Sequence, residues 1–132
     1  PGVVPGECWA FEGSVGFLVI KLSGTVQISS VSYEHIPAAL SPDGQIKSAP
    51  RSFQVYGFVS EADVANSVQR EIWLGNFTYN DKGKPNQVFL VQNTEALPVS
   101  VVELRVTSNY GHPLYTCLYR FRVHGKRVSP SM

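Results

Sequence analysis

The chain has no run of lysine or arginine: eleven basic and ten acidic side chains are scattered along it and nearly cancel, to a formal net charge of +1. Without a basic stripe there is no electrostatic footprint for a nucleic acid or an anionic membrane surface. Long hydrophobic runs are missing too. The longest nearly uncharged apolar stretch, Val15 to Ile20, falls far short of the roughly 20 residues that cross a bilayer, and no segment reads as a membrane anchor or signal peptide. Histidine and cysteine are sparse. His35, His112 and His124 share no close spacing and Cys8 and Cys117 lie near opposite ends, so the ligand pairs of a zinc site are lacking. No serine stands in a nucleophile elbow, and no glycine loop is built to cradle phosphate. Glu34 and His35 are adjacent, which on a strand sends them to opposite faces and spoils them as a cooperating acid and base. An enzyme is not expected.

What is present is enough apolar material, 43% of 132 residues, to close one core in a chain of single-domain size. Its organising stretch is Asn109 to Gly125. Asn109, Gly111 and Pro113 are turn formers that display Tyr110, His112 and Tyr115 near a strand end, where binding groups tend to sit. From Tyr115 the pattern alternates: Tyr115, Cys117, Tyr119, Phe121 and Val123 against Thr116, Leu118, Arg120, Arg122 and His124. That period predicts one half-buried strand with the cysteine on its inward face.

Elsewhere the signals are those of short strands. Pro1 to Gly6 reads as an extended loop delivering Cys8, Trp9 and Phe11 to the core, and Gly16 to Leu22 as a strand. Thr25 to Ile28 and Val31 to Glu34 form two strands, or one broken at Ser29-Ser30. Three prolines and an Asp-Gly make Pro37 to Pro50 a folded loop, followed by a strand over Arg51 to Phe58. Ser60-Glu61-Ala62-Asp63 resembles a helix-start box, but Ser60 to Arg70 has few apolar anchors and is expected to be a turn of helix or a surface excursion. Trp73 to Tyr79 and Gln87 to Val91 flank the turn formers Asn80 to Pro85 and are expected to be antiparallel neighbours. Val99 to Thr107 reads as the strand with the cleanest wet face. About seven strands, no convincing long helix and no internal repeat predict an all-β fold, an antiparallel β-sandwich.

Cys8 and Cys117 are open to two readings. Paired, they close a loop credited with roughly 5 kcal/mol at most and imply an oxidising compartment; unpaired, they are two separate buried thiols. Asn76-Phe77-Thr78 matches the acceptor pattern for N-glycosylation. Pro1 in place of an initiating methionine suggests a fragment or processed piece. Binding is the function class left. A sandwich with aromatics at a loop end can hold sugar by stacking, on Tyr110, Tyr115 and Trp73, or a peptide added as a strand. Tyr110 and Tyr115 taken alone fit rim aromatics packed over a core better than a platform.

Several blocks closely resemble the SUN domain family of inner-nuclear-membrane proteins: Cys8 to Ser23 (CWAFEGSVGFLVIKLS), Val31 to Leu40 (VSYEHIPAAL), the Ser48-Ala49-Pro50 turn, Gly75 to Tyr79 (GNFTY) and Asn109 to Gly125 (NYGHPLYTCLYRFRVHG). The resemblance implies a jelly-roll or galactose-binding-like sandwich, with residues 1–132 the C-terminal major part of a single SUN domain that is incomplete on its N-terminal side. It implies a homotrimer in the perinuclear space, belonging to an inner-nuclear-membrane protein anchored outside this segment. Its partner would be the C-terminal peptide of a KASH protein, in a nucleus-to-cytoskeleton bridge, the LINC complex.

Position by position, His35, Ser48 and Tyr115 match the family residues that hold the peptide's terminal carboxylate, and Asn109, Tyr110 and Gly111 match the turn beside them, Tyr110 standing where the family often has tryptophan. Cys8 and Cys117 match an internal disulfide. That disulfide ties down a loop binding a monovalent cation, potassium being the expected ion, through backbone carbonyls that include those of Glu7 and Tyr119. No other cofactor is implied. The family's upstream coiled coil, first strand region, hairpin lid and partner-bonding cysteine have no counterpart in these residues, and Ser60 to Arg70 is longer than the family pattern.

Overall fold

Nineteen consecutive residues, Gly16–Glu34, form a single strand, and this long element organises the fold. Covered and exposed side chains alternate from Gly16 to Ile28, the period-two pattern of a strand with one face on a core. The computed structural model describes residues 3–129. Its strands are β1 (Trp9–Glu12), β2 (Gly16–Glu34), β3 (Ser52–Phe58), β4 (Ile72–Thr78), β5 (Asn86–Leu90), β6 (Val99–Val106), β7 (Tyr115–Leu118) and β8 (Arg120–Arg127). Strand order is β4-β3-β6-β2-β5, with β8 also on β2, and β1 and β7 form a separate pair. Every ladder is antiparallel. The first half of β2 pairs with β6, from Gly16↔Val106 to Lys21↔Val101. Its second half lies between β5 and β8, so one strand belongs to both layers.

Val31, Tyr33, Phe53, Val55, Leu74, Tyr79, Val102, Leu104 and Val106 are all at most 2% exposed and form the core of the sandwich. Tyr33 and Tyr79 meet edge to face, ring centres 5.1 Å apart, the arrangement that aligns a positive ring edge with a negative ring face. The antiparallel β-sandwich expected from the sequence is the fold observed.

Four local expectations are corrected. Residues 115–127 are two strands, not one: the ladder breaks at Tyr119, Tyr115 is 40% exposed, and Thr116 and Leu118 are buried alongside Cys117. β4 and β5 are not ladder partners, since β4 pairs with β3 and β5 with β2. The Asn80–Pro85 turn crosses between layers, closed by the Gln87 amide, which donates to the carbonyls of Asn80 and Lys84 at 2.7 and 2.8 Å. β6 is wet on neither face: Val101 and Glu103 are buried too. Glu103 accepts from Arg105 Nε at 2.6 Å, and Arg105 also reaches Glu71 at 2.6 Å and lies 3.8 Å over the Tyr56 ring. Finally, Trp9 is 47% exposed and is not part of the core.

Ser29-Ser30 does not break β2 but marks a register shift against β8, between Ile28 and Ser30. Ser60 to Arg70 forms a 3-10 segment, Glu61–Asn66, and one α-turn, Ser67–Arg70; Ser60 makes no side-chain cap bond. The excursion is fastened to the sheet by Lys21–Glu61 at 2.9 Å, an exposed pair worth little, and by the more covered Arg105–Glu71 pair.

Candidate functional site

The Pro37–Pro50 loop folds first on itself. Asp43 Oδ1 accepts from the Gln45 amide and the Ser41 hydroxyl, both at 3.0 Å, and these bonds hold its carboxyl below the usual range. The loop is then sewn to the organising stretch by three backbone bonds. The amides of Tyr110, His112 and Cys117 donate to the carbonyls of Ala49, Lys47 and Ser48 at 3.1, 3.1 and 2.9 Å. This fixes Ser48 beside β7.

On the other side Asn109 ties the turn. Its Nδ2 donates to the carbonyls of His112 and Tyr115 and to Thr116 Oγ1, at 3.1, 3.3 and 3.1 Å, while its Oδ1 accepts from Gly111 at 2.9 Å. Gly111 has φ +105°, a conformation open to glycine and strained for other residues. The His112 and Tyr115 rings lie 3.9 Å apart, and His112 Nδ1 accepts the Leu114 and Tyr115 amides at 3.2 Å.

Ser48 and Tyr115 face a common cavity of about 680 Å³, whose wall also includes His112, Tyr119, Cys8 and Cys117. Cys8 and Cys117 are joined as a disulfide, Cα atoms 5.6 Å apart. His35 does not line the cavity. It is fully buried, its ring edge-on to Tyr119 at 4.7 Å, so it sits one ring behind the wall. Tyr110 lines a neighbouring cavity of about 600 Å³ with Tyr79, Lys47 and Lys82, and its hydroxyl donates to the Tyr79 carbonyl. Trp73 lines neither and is hydrogen-bonded to Asn76 on β4. The three rings considered as sugar platforms therefore do not share a cavity.

Two tyrosines, Tyr33 and Tyr119, organise this region through side-chain roles that the sequence did not disclose. The Tyr33 hydroxyl lies 2.6 Å from His35 Nδ1 and 3.2 Å from the Cys117 carbonyl, and it accepts the Tyr119 amide at 3.2 Å. Its single proton goes to the Cys117 carbonyl, so the Tyr119 amide and His35 Nδ1–H both donate to the hydroxyl oxygen, and Nε2 is left as the bare acceptor nitrogen. His35 Nε2 has no partner among the described residues. Burial lowers the His35 pKa to about 4, so the ring is neutral at physiological pH, and the same effect keeps Tyr33 protonated. Tyr119, expected on the inward face of a strand and for its carbonyl, presents its ring to the cavity and its hydroxyl to the Gly6 amide at 3.0 Å. The i, i+2 spacing of Tyr33 and His35 was the available signal for the first; none pointed to the second.

Near Glu7, residues 4–7 turn through a bond from the Glu7 amide to the Val4 carbonyl at 3.0 Å, with Gly6 at φ +85°. The disulfide and the Tyr119 hydroxyl hold this turn against the β7–β8 junction. Among the described residues no cluster of three or more His, Cys, Asp or Glu side chains is arranged for a metal ion.

Residues 1–127 match the family model described as "Sad1 / UNC-like C-terminal". The chain is 51% identical over 127 residues to Klaroid protein of Drosophila melanogaster, covering 96% of this chain and 13% of that protein. It is 46% identical over 126 residues to SUN domain-containing protein 2 of Mus musculus, covering 96% and 17%. It is also 46% identical over 124 residues to the nuclear migration and anchoring protein unc-84 of Caenorhabditis elegans, covering 94% and 11%. The chain thus spans less than a fifth of each of these three relatives. Among solved structures, a family 32 carbohydrate-binding module from Streptococcus pneumoniae EndoD aligns with TM-score 0.67 at 12% identity, over 90% of this chain and 75% of that one. An F5/8 type C domain from Bacteroides fragilis aligns at 0.64 and 13%, over 95% and 79%. At such identities the likeness shows the fold alone.

Proposed function

The chain belongs to the Sad1 / UNC-like C-terminal family, the SUN domains, and we propose that it is the peptide-gripping head of a nuclear-envelope tether. Its work is binding, without catalysis. The partner is the C-terminal tail of a KASH protein, met in the perinuclear space, and the gripping unit is a homotrimer of the whole protein, whose membrane anchor lies outside these residues.

The observation that carries this reading is the shared cavity of Ser48 and Tyr115, with His35 one ring behind it at Tyr119. A chain-terminal carboxylate has two charged oxygens that want several donors at once. The hydroxyls of Ser48 and Tyr115 are two such donors, and His35 becomes a third when its proton moves from Nδ1 to the unpartnered Nε2 and the Tyr119 ring gives way. Each bond to a charged acceptor contributes roughly 1.5 to 3 kcal/mol, which an internal peptide bond cannot collect. Asn109, Tyr110 and Gly111 hold the rim. We extend the proposal to a monovalent cation, potassium, at the turn of residues 4–7: the backbone carbonyls of Glu7 and Tyr119 would hold it, a reading supported by the disulfide that joins their two segments. When bound, it supplies a fixed positive charge beside the cleft.

The test compares a KASH tail peptide with its C-terminal amide on the full-length protein. The free acid should bind at least tenfold tighter, with the difference shrinking in Ser48→Ala and Tyr115→Phe. Equal affinity for acid and amide would remove the carboxylate from the account.

A further inference from the structure

Asn76-Phe77-Thr78 lies on β4, the edge strand of the sheet, outside both cavities, and the tail-binding reading makes no use of it. Many such tripeptides are buried or bonded up and never modified. This one differs in how its amide is held. The register shift between β3 and β4 falls between the pairs Val55↔Gly75 and Tyr56↔Trp73, so the irregularity brings Trp73 and Asn76 to the same side of the strand. The Trp73 indole donates to the Asn76 side-chain oxygen at 2.8 Å.

An indole N–H can only donate, so its partner must be Oδ1, and Nδ2 is turned away from it. Nδ2 makes no hydrogen bond among the described residues, Asn76 is exposed, and Thr78, two residues on along the strand, is exposed as well. The backbone of Asn76 is secured separately: Gln92 Oε1 accepts its amide at 2.9 Å and Gln92 Nε2 donates to its carbonyl at 3.0 Å. The one atom left free is the nitrogen that glycosylation uses.

We propose that Asn76 is an N-glycosylation site of this chain, carrying an oligosaccharide over the exposed face of Trp73 and the outer edge of β4. In the transfer, Nδ2 bonds to the anomeric carbon of a polyprenyl-pyrophosphate-linked oligosaccharide. The bond from that carbon to the pyrophosphate oxygen breaks, Nδ2 gives up one proton, and the lipid pyrophosphate leaves with its electron pair; nothing is oxidised or reduced. The sugar also has a structural consequence. The outward backbone groups of β4 here are already taken by Gln92 and Asn93, through the carbonyls of Trp73 and Leu74 and the amide and carbonyl of Asn76, and the sugar adds a bulky hydrated chain over that covered edge. Because Asn76 lines neither cavity, the glycan leaves the tail cleft open.

The proposal rests on the perinuclear reading, since only a lumenal chain meets the lipid-linked donor, and the Cys8–Cys117 bond reports that compartment independently. The experiment expresses the full-length protein in cells, alkylates it on lysis, and maps the Asn76 and cysteine peptides by mass spectrometry before and after peptide N-glycosidase treatment. The expected result is a glycan on Asn76 with the cysteines oxidised, abolished completely by Asn76→Gln and by Thr78→Ala and retained by Thr78→Ser. The conservative serine variant separates loss of the acceptor hydroxyl from misfolding. Oxidised cysteines with an unmodified Asn76 overturn the glycan and leave the compartment standing. Reduced cysteines with an unmodified Asn76 overturn both.

Discussion

The Tyr33 hydroxyl stands 2.6 Å from His35 Nδ1, and the two rings are fully or almost fully buried at the end of β2. One hydroxyl thereby joins three parts of the molecule: the imidazole of the loop entry, the Cys117 carbonyl of β7 and the Tyr119 amide at the β7–β8 break. The candidate cleft inherits its shape from this knot, because Cys117 and Tyr119 are wall residues and His35 lies directly behind.

Removing the hydroxyl should be costly. Tyr33→Phe keeps the ring and its edge contact with Tyr79 but leaves buried polar groups of His35, Cys117 and Tyr119 short of a partner. An unsatisfied buried group costs about 1 to 3 kcal/mol, so a loss of about 2 to 4 kcal/mol in denaturant unfolding is expected. A change below half a kcal/mol would mean the hydroxyl organises nothing.

Stability should also depend on pH through His35. Burial lowers its folded pKa from the ordinary 6.5 to about 4, so the unfolded chain takes up the proton first. The contribution of the neutral ring is fully present above pH 6.5, declines as pH falls from 6.5 to about 4, and is exhausted below that. The loss over this window is about 3 kcal/mol. Carboxylates titrate nearby, so the informative quantity is the difference between the native chain and His35→Gln, which should narrow as pH falls through this window. A difference that stays constant from pH 7 to pH 4 would show that His35 is not the group responsible.

The disulfide is the third test. Cys8 and Cys117 are 109 positions apart, and closing so long a loop stabilises by up to roughly 5 kcal/mol in the chain-entropy account. Cys8→Ser and Cys117→Ser, singly or together, should each lower stability by a similar amount of several kcal/mol, and a reductant should do the same to the native chain and nothing to the variants. Thermal melts with and without reductant check this. Matching melting temperatures would mean that the β1–β7 ladder holds residues 4–12 unaided.

How much of this the sequence disclosed follows from what each signal measures. A short apolar run bounded by turn formers found the first part of β2, and alternation found its second part, β3 and β6, yet neither signal could say that Ser29-Ser30 is a register shift within one strand, since both outcomes break the pattern alike. The Asn80–Pro85 turn formers disclosed a reversal but not its partners; whether two strands joined by a turn pair or cross between layers is decided by the rest of the core. Glu103 and Arg105 read as a wet face because charge usually means water, whereas here each neutralises the other beside Tyr56 and Glu71. At the site, Ser48 and Tyr115 do share a cavity. His35 looked like an equal third member, but the spacing of a motif does not reveal that Tyr119 stands in front of it.

Asn109 supplies the last prediction, because it couples the fold to the cleft. Its Nδ2 is shared among the carbonyls of His112 and Tyr115 and the Thr116 hydroxyl, and Thr116 passes the connection on by donating to the Gly13 carbonyl at 2.8 Å. Asn109→Asp keeps the size and the acceptor for the Gly111 amide but loses every donor, setting a carboxylate against two carbonyls. Asn109→Ala loses both sides of the network without adding charge. Both should lower stability, the aspartate by about 2 to 3 kcal/mol and the alanine by about 1 to 2 kcal/mol. Because the bond to the Tyr115 carbonyl sets where that ring enters the cavity, both should also weaken tail-peptide binding under conditions where the variants remain folded. Binding unchanged in a folded Asn109→Asp variant would detach the turn from the site and leave Tyr115 positioned by β7 alone.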